Sequence, residues 1–169
     1  MERITVVPQG REQLAFSFEL PPGWLTVEIP AEEPDFTDPK FFQPVGVAAS
    51  QYGMAVFSVG VRPAYEDGSL REWLGWLCAA DGIGIENLRE IELGDAVGFA
   101  FDGVQSDGKM TMQMRNVYVE DGGRLYAVCA MAAAQIFPAL EPELAAMAAS
   151  FRMVTTSGAT APLAPALAV

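Results

Sequence analysis

Apolar and polar residues alternate along much of the chain, and this alternation predicts strands. Phe16 and Phe18 share one parity of residues 14–20, and residues 24–29 resume the alternation after a Pro-Pro-Gly corner. Alternation of this kind is typical of a half-buried strand, and a corner rich in proline and glycine favours a change of chain direction. We therefore predict that the two segments form a hairpin.

Residues 54–62 form another alternating segment, and it is apolar enough for a deeply buried strand. Pro63 marks its end, because proline has no N–H to donate to a neighbouring strand. The preceding residues 30–44 are rich in proline and acidic side chains, and this composition predicts a loop. The buried parity of the predicted strand comprises Ala55, Phe57, Val59 and Val61.

The next segment has the spacing of an amphipathic helix. Ser69 precedes it and Glu72 follows three residues later, which predicts a capping box, and Gly82 is expected to end the helix. Trp76 lies about 110° from the apolar stripe on a helical wheel, so we expect it at a flank or at the surface. The stripe should pack on a sheet and comprises Leu70, Trp73, Leu74 and Leu77, with Cys78 at its margin.

The second half of the chain contains four more alternating segments, separated by Gly-Asp, Ser-Asp-Gly and Asp-Gly-Gly turns. A second helix is predicted from about Glu141, since Pro138 and Pro142 are tolerated only near a helix start. A short strand at 151–154 follows it. The four alternating segments are residues 87–93, 96–104, 110–120 and 124–131.

A meander of strands, interrupted by one helix and closed by another, indicates an α+β fold rather than a doubly wound parallel sheet. We predict a largely antiparallel six- or seven-stranded sheet with helices packed on it. A single domain is expected over residues 1–154. Residues 155–169 lack periodicity and are expected to form a flexible tail rich in alanine and proline.

The net charge restricts the classes of partner. Ten basic and 22 acidic side chains give a formal charge of −12, which would repel a nucleic-acid backbone or an anionic membrane surface. No apolar stretch reaches the roughly 18 residues that span a bilayer, and the first residues lack the pattern of a signal peptide. We therefore expect a cytoplasmic protein with no nucleic-acid partner and no stable membrane insertion.

The residue inventory argues against catalysis. The chain has no histidine, so it lacks the commonest general base and zinc ligand and cannot build a Ser-His-Asp arrangement. Cys78 and Cys129 are expected to be reduced and buried. We predict no enzyme activity, no cofactor and no metal site. Two alternatives remain, a cation or small-molecule site and a carboxylate-based enzyme, both using the acidic loop 31–38 with Glu32, Glu33, Asp35 and Asp38.

Several residues together resemble a known superfamily. They are the segment Leu20-Pro21-Pro22-Gly23-Trp24, the helix that starts with Ser69-Leu70-Arg71-Glu72-Trp73-Leu74, the hairpin turns and the terminal Ser150-Phe151. Over residues 14–154 the chain resembles the PsbP-like, Mog and DcrB-type sandwich proteins, which include bacterial chaperones of type VI secretion effectors. The resemblance implies a non-enzymatic accessory or chaperone-like protein that binds a protein partner, and it suggests a homodimer.

The sequence also suggests where such a partner would bind. Met112 and Met114 alternate on one strand, and methionine rows occur in cores, in soft-metal sites and on adaptable apolar surfaces. We expect Met112, Met114, Phe57 and Val59 to form one apolar face for a partner or peptide. Trp76 is a further candidate, with packing beneath the proline-rich loop as the alternative.

Overall fold

The computed structural model describes residues 1–8, 12–29, 42–51 and 53–154. The acidic segment 31–38 and the predicted tail 155–169 lie outside the described residues. The strands are β1 (Glu2–Val6), β2 (Phe16–Leu20), β3 (Trp24–Val27), β4 (Gln43–Ser50), β5 (Ala55–Pro63), β6 (Ile83–Leu93), β7 (Ala96–Ser106), β8 (Thr111–Asp121), β9 (Arg124–Ala133) and β10 (Arg152–Met153), and the helices are α1 (Leu70–Ala80) and α2 (Phe137–Ser150).

Seven of the described strands form one antiparallel sheet in the order β3-β4-β5-β9-β8-β7-β6. Strands β6 to β9 follow one another through tight turns, as the Gly-Asp, Asp-Gly and Gly-Gly signals predict. Gly108 and Gly123 have φ angles of 87° and 78°, which side chains with a Cβ rarely adopt. The predicted α+β fold with a largely antiparallel sheet and packed helices is confirmed.

The remaining three described strands form a small sheet in the order β1-β2-β10. Together with α2 it covers one side of the large sheet, which we call the core face. Phe18 of β2 stacks on Phe57 of β5 with ring centroids 4.3 Å apart, and Leu144 and Met147 of α2 are fully buried in the same cluster. Burial of these large apolar side chains provides most of the packing energy on this side.

Helix α1 covers part of the opposite face of the large sheet. Its buried stripe is the predicted one, and it packs on Phe99, Phe101, Tyr118 and Leu125. The predicted capping box does not form, because the Ser69 hydroxyl makes no bond to the helix backbone and instead lies 3.5 Å from Glu72 Oε1. The Trp73 indole N–H donates to the carbonyl of Asp67 at 2.8 Å and fixes the start of the helix.

Three predictions about elements were wrong. Strands β2 and β3 do not pair as a hairpin, since the Pro-Pro-Gly corner carries the chain from the small sheet to the large one. Helix α2 begins at Phe137 rather than Glu141, because Phe137 itself is buried against the core and Pro142 is accommodated inside the helix. Strand β4 extends into the predicted loop. A bulge between Pro44 and Gly46 allows the strand to keep its pairing with β5 across residues that disfavour a regular strand.

Candidate functional site

The register of the large sheet separates the four residues predicted to share one face. Phe57 pairs with Ala130, which pairs with Arg115, whereas Met114 pairs with Met131, which pairs with Val56. Because paired residues share a face, Phe57 and Val59 lie on the core face and Met112 and Met114 lie on the face of α1. The expectation of one face is therefore corrected: Phe57 and Val59 are fully buried beneath β2.

The α1 side carries a row of apolar residues that crosses five strands. Following the pairing from β8 to β3, this row consists of Met114, Met131, Val56, Ala49 and Leu25. Met114 is buried, the next three residues are half-buried, and Leu25 is 65% exposed. The apolar face therefore becomes more open from the side covered by α1 towards β3.

A second row lies beside the first and consists of Asn116, Cys129, Ser58, Val47 and Val27. Val27 is 47% exposed. We call the two rows, together with the half-buried Met112, the open face. It is mostly apolar, and on the described strands β3 to β5 its side chains are small or branched.

The polar members of the open face show no sign of activation. Burial raises the pKa of the Cys129 thiol to about 12 and that of Cys78, which lies on α1, to about 11. Both cysteines are free, with Cys78 buried and Cys129 half-buried. A thiol with a raised pKa is a poor nucleophile at neutral pH. The buried Asn116 Nδ2 has no hydrogen-bond partner within the described part of the chain.

Trp76 is exposed, as its position on the helical wheel predicts. Its side chain is 64% accessible, and its ring contacts Tyr65 edge-on at 6.4 Å. Tyr65 is held in turn by Trp73 and by the Arg62 guanidinium, which lies 4.3 Å from the centre of the Tyr65 ring. We call Tyr65, Trp73 and Trp76 the aromatic patch. Its outer ring is presented by a helix and a fixed neighbour, so it can contact a partner with little loss of side-chain entropy.

One network of three charged groups among the described residues joins β7, β8 and α2. Arg115 lies 3.2 Å from Asp102 and also contacts Glu141 of α2. These three groups and Glu86 line a cavity of about 230 Å³. No three acidic or cysteine side chains among the described residues are placed to hold a metal ion. The described helices are too short or too polar for any of them to cross a membrane.

The sequence interpretation missed Val56, Met131, Leu25 and Val27. The alternation that would identify these residues is weak. In each of their strands, either the opposite parity carries bulkier apolar side chains or only two apolar residues alternate. The opposite parity of β5, which holds Val56, Ser58 and Gly60, was the informative one. Small and partly polar residues opposite a parity of large core residues indicate a face that is only partly covered.

The sequence matches no protein-family model and no curated protein. Solved structures do match. Cyanobacterial PsbP from Synechocystis sp. PCC 6803 has a TM-score of 0.59 at 14% identity over 90% of this chain and 92% of that chain. LpqN, involved in cell envelope biogenesis of Mycobacterium tuberculosis, has 0.60 at 10% identity over 91% of each chain. The Saccharomyces cerevisiae Ran-binding protein Mog1p has 0.57 at 12% identity over 93% of this chain and 98% of that chain.

At these identities the comparisons show the fold alone. The chain has the PsbP/Mog-like fold, and the resemblance seen in the sequence is confirmed at that level.

Proposed function

We propose that this protein binds a partner protein without catalysing a reaction, and that the open face receives an apolar segment of the partner. The observation that carries the proposal is the five-strand row from Met114 to Leu25. An apolar row that ends in a 65% exposed leucine is the kind of surface that marks interaction sites. That one solved structure of this fold is described as a Ran-binding protein supports a protein as the partner class.

The side chains of the open face suit an apolar segment of variable sequence. Methionine side chains are flexible and polarisable, so the half-buried Met112 and Met131 can adjust to different apolar neighbours, with the buried Met114 beside them. Strand β3 is an outer strand of the seven described, and its edge, which pairs with no other described strand, can add hydrogen bonds to an extended segment. Trp76 and the aromatic patch supply a second contact region on the same side of the sheet as α1.

In its most specific form, the proposal is a cytoplasmic chaperone that escorts a secreted effector by shielding its apolar segment. The formal charge of −12 would keep such a complex dispersed. A homodimer is part of this proposal. The alternative, a cation or small-molecule site in the acidic loop 31–38, concerns residues outside those described and stays a prediction.

Two valines make a matched test of the open face. Val27 is 47% exposed and Val97 is 48% exposed. Both residues lie on the α1 side of the large sheet, but Val97 belongs to β7, near the other end of the sheet. Introducing a carboxylate by Val27→Glu places a charge in the proposed contact, whereas Val97→Glu makes the same change elsewhere. Because both sites are half-exposed, the fold should survive both changes.

The experiment is affinity purification from the native host with the wild type, Val27→Glu and Val97→Glu as baits, followed by quantitative mass spectrometry. We expect at least one partner to be depleted about tenfold or more with Val27→Glu and retained with Val97→Glu. If every partner is captured equally by the two variants, the open face is not the binding site. Trp76→Ala, tested in parallel, decides whether the aromatic patch contributes.

A further inference from the structure

We propose that a cavity beside α2 binds a small organic carboxylate with an apolar body. The cavity has a volume of about 260 Å³ and lies between the C-terminal half of α2 and strands β6, β7 and β8. It is on the core-face side of the large sheet, so it is separate from the open face. Its volume is slightly below the roughly 300 Å³ at which pockets for larger ligands begin, which favours a small ligand.

The cavity exists because small residues line it where α2 passes over the sheet. Register places Arg89, Ala100 and Val117 side by side on its floor, and the wall from α2 is built from alanines, including Ala148 and Ala149. Larger side chains at these positions would fill the space between helix and strands. Ala100 and Val117 of the floor and the alanine wall match an alkyl chain, whereas a hydrated inorganic ion would gain little from these apolar side chains.

The charge of the lining is the reverse of that of the molecule. Arg89, Arg115 and Arg152 are three of only ten basic residues in a chain with 22 acidic ones, yet all three line this cavity together with a single acid, Glu92. Placing these cations close together leaves the net charge of the protein unchanged, but it creates a local positive field that attracts an anion. A guanidinium binds carboxylate and phosphate alike, and the apolar part of the lining favours a carboxylate with an alkyl body over an inorganic phosphate.

The three guanidinium groups differ in the hydrogen bonds and ion pairs that they already form. Arg115 is paired with Asp102 and Glu141. Arg152 donates through Nη1 to the carbonyls of Ala149 and Phe151 at the end of α2. The Arg89 guanidinium makes no hydrogen bond or ion pair with any residue that the structure describes, and Arg89 is exposed to solvent. The geometry therefore makes Arg89 the group that binds the carboxylate, with Arg152 as the second donor.

The test uses sodium hexanoate as the probe and follows backbone amide signals of the full chain by NMR. Two comparison ligands are used. Hexan-1-ol shares only the alkyl chain of hexanoate, and inorganic phosphate shares only its negative charge. We expect hexanoate to bind with a Kd of about 1 mM or tighter and to shift the amides of Ala100, Val117 and Ala149. The alcohol and phosphate should each bind about tenfold more weakly.

Two variants and one control locate the site. Arg89→Gln removes the free guanidinium, and Ala149→Leu fills the cavity from an exposed helix position, so each should weaken hexanoate binding about tenfold. Arg71→Gln is the control, since Arg71 lies on α1 over the Phe99 ring on the other side of the sheet. The proposal is overturned if hexanoate does not bind, if its shifts fall on the open face, if hexan-1-ol or phosphate binds equally well, or if Arg89→Gln and Arg71→Gln behave alike.

Discussion

Gly46 shows how one missing side chain sets the spacing between the two sheets. A Cβ at this position would overlap the Cζ atom of Phe16, whose ring is fully buried in the core. The ring cannot move away, because Phe18 stacks on it and Phe151 packs against it at a tilt. The glycine is therefore required by packing and not by backbone conformation.

Replacing Gly46 by alanine should lower the free energy of unfolding by about 1–3 kcal/mol, the usual cost of overpacking a core. Urea unfolding measures the change. Gly75→Ala is the control, because Gly75 lies exposed on α1 with no neighbour near its missing Cβ, and alanine there should stabilise by about 0.5–1 kcal/mol. Equal effects of the two substitutions would contradict the packing argument.

The two thiols make stability depend on pH in the alkaline range. Their pKa values rise from the ordinary 9.0 to about 11 for Cys78 and about 12 for Cys129 in the folded protein, mainly because burial disfavours the thiolate. At pH values between the ordinary pKa and the raised pKa, the unfolded chain loses protons that the folded chain retains. Folding therefore becomes less favourable as pH rises through this range. Below about pH 8 both states keep the protons and the thiols have no effect.

We therefore expect the free energy of unfolding to fall as pH rises above about 9, and to fall less steeply in a Cys78→Ala/Cys129→Ala double variant. Denaturant titrations across that range provide the measurement, with each protein compared with its own value near neutral pH. The double variant also affects Tyr118, because the pKa of this tyrosine is raised by burial and, to a smaller extent, by the neighbouring Cys78 and Cys129. The difference in slope therefore reports the two thiols together with the part of the Tyr118 shift that they cause. A double variant with the same alkaline slope as the wild type would refute the assignment.

At the same scale, side-chain parity explains why the candidate site was only partly predictable. Met112 and Met114 lie on one face of β8, as their alternation predicts, but Phe57 and Val59, which belong to the buried parity of β5, lie on the other face of the sheet. Alternation in a single strand identifies two faces without saying which one is covered. That choice depends on strand pairing across β5, β9 and β8, which no local pattern contains.

At the scale of elements, one hydrogen bond ties the two layers together. The Trp24 indole N–H of β3 donates to Glu143 Oε2 of α2 at 2.9 Å, and Trp24 is only 4% exposed. Because the indole N–H is shielded from water, losing its acceptor leaves a buried donor unsatisfied. This contact fixes α2 relative to the outer part of the large sheet.

Glu143→Ala should lower the free energy of unfolding by about 1–3 kcal/mol, while Glu143→Gln, which keeps an acceptor oxygen, should lose less than half of that. Thermal or urea unfolding distinguishes the two. The pair is a matched control for charge, since both variants remove the carboxylate. If alanine and glutamine destabilise equally, the contact is electrostatic and not a hydrogen bond to the buried indole.

Elements with strong local signals were predictable, and those that depend on distant partners were not. The turns at Gly94, Gly108 and Gly123 and the stripe of α1 are encoded by neighbouring residues, and the structure has them where the sequence indicates. Strand β4 contains Pro44 and Gly46, which locally disfavour a strand, and is held by β3 and β5 on either side. The Pro-Pro-Gly corner has hairpin composition, but pairing of β2 with β1 and β10 overrides it.

At the scale of the whole molecule, charge opposes self-association. Two copies with a formal charge of −12 each repel one another at low ionic strength. If the protein forms the proposed homodimer, the dimer fraction should rise when the salt concentration is increased to about 0.5 M, because salt screens the repulsion while apolar contacts persist. Light scattering across salt and protein concentrations measures it, and a monomer under every condition removes the dimer from the proposal.

The small sheet also determines when the chain can complete its fold during synthesis. The amide of Glu19 donates to Ser150 Oγ, a residue 131 positions further along the chain, and β2 receives its second neighbour only from β10. Phe16 and Phe18 therefore leave the ribosome long before the helix and strand that shield them. Contacts of such long sequence separation slow folding and prolong the exposure of apolar residues. The core of this protein can close only after helix α2 and strand β10 have been synthesised.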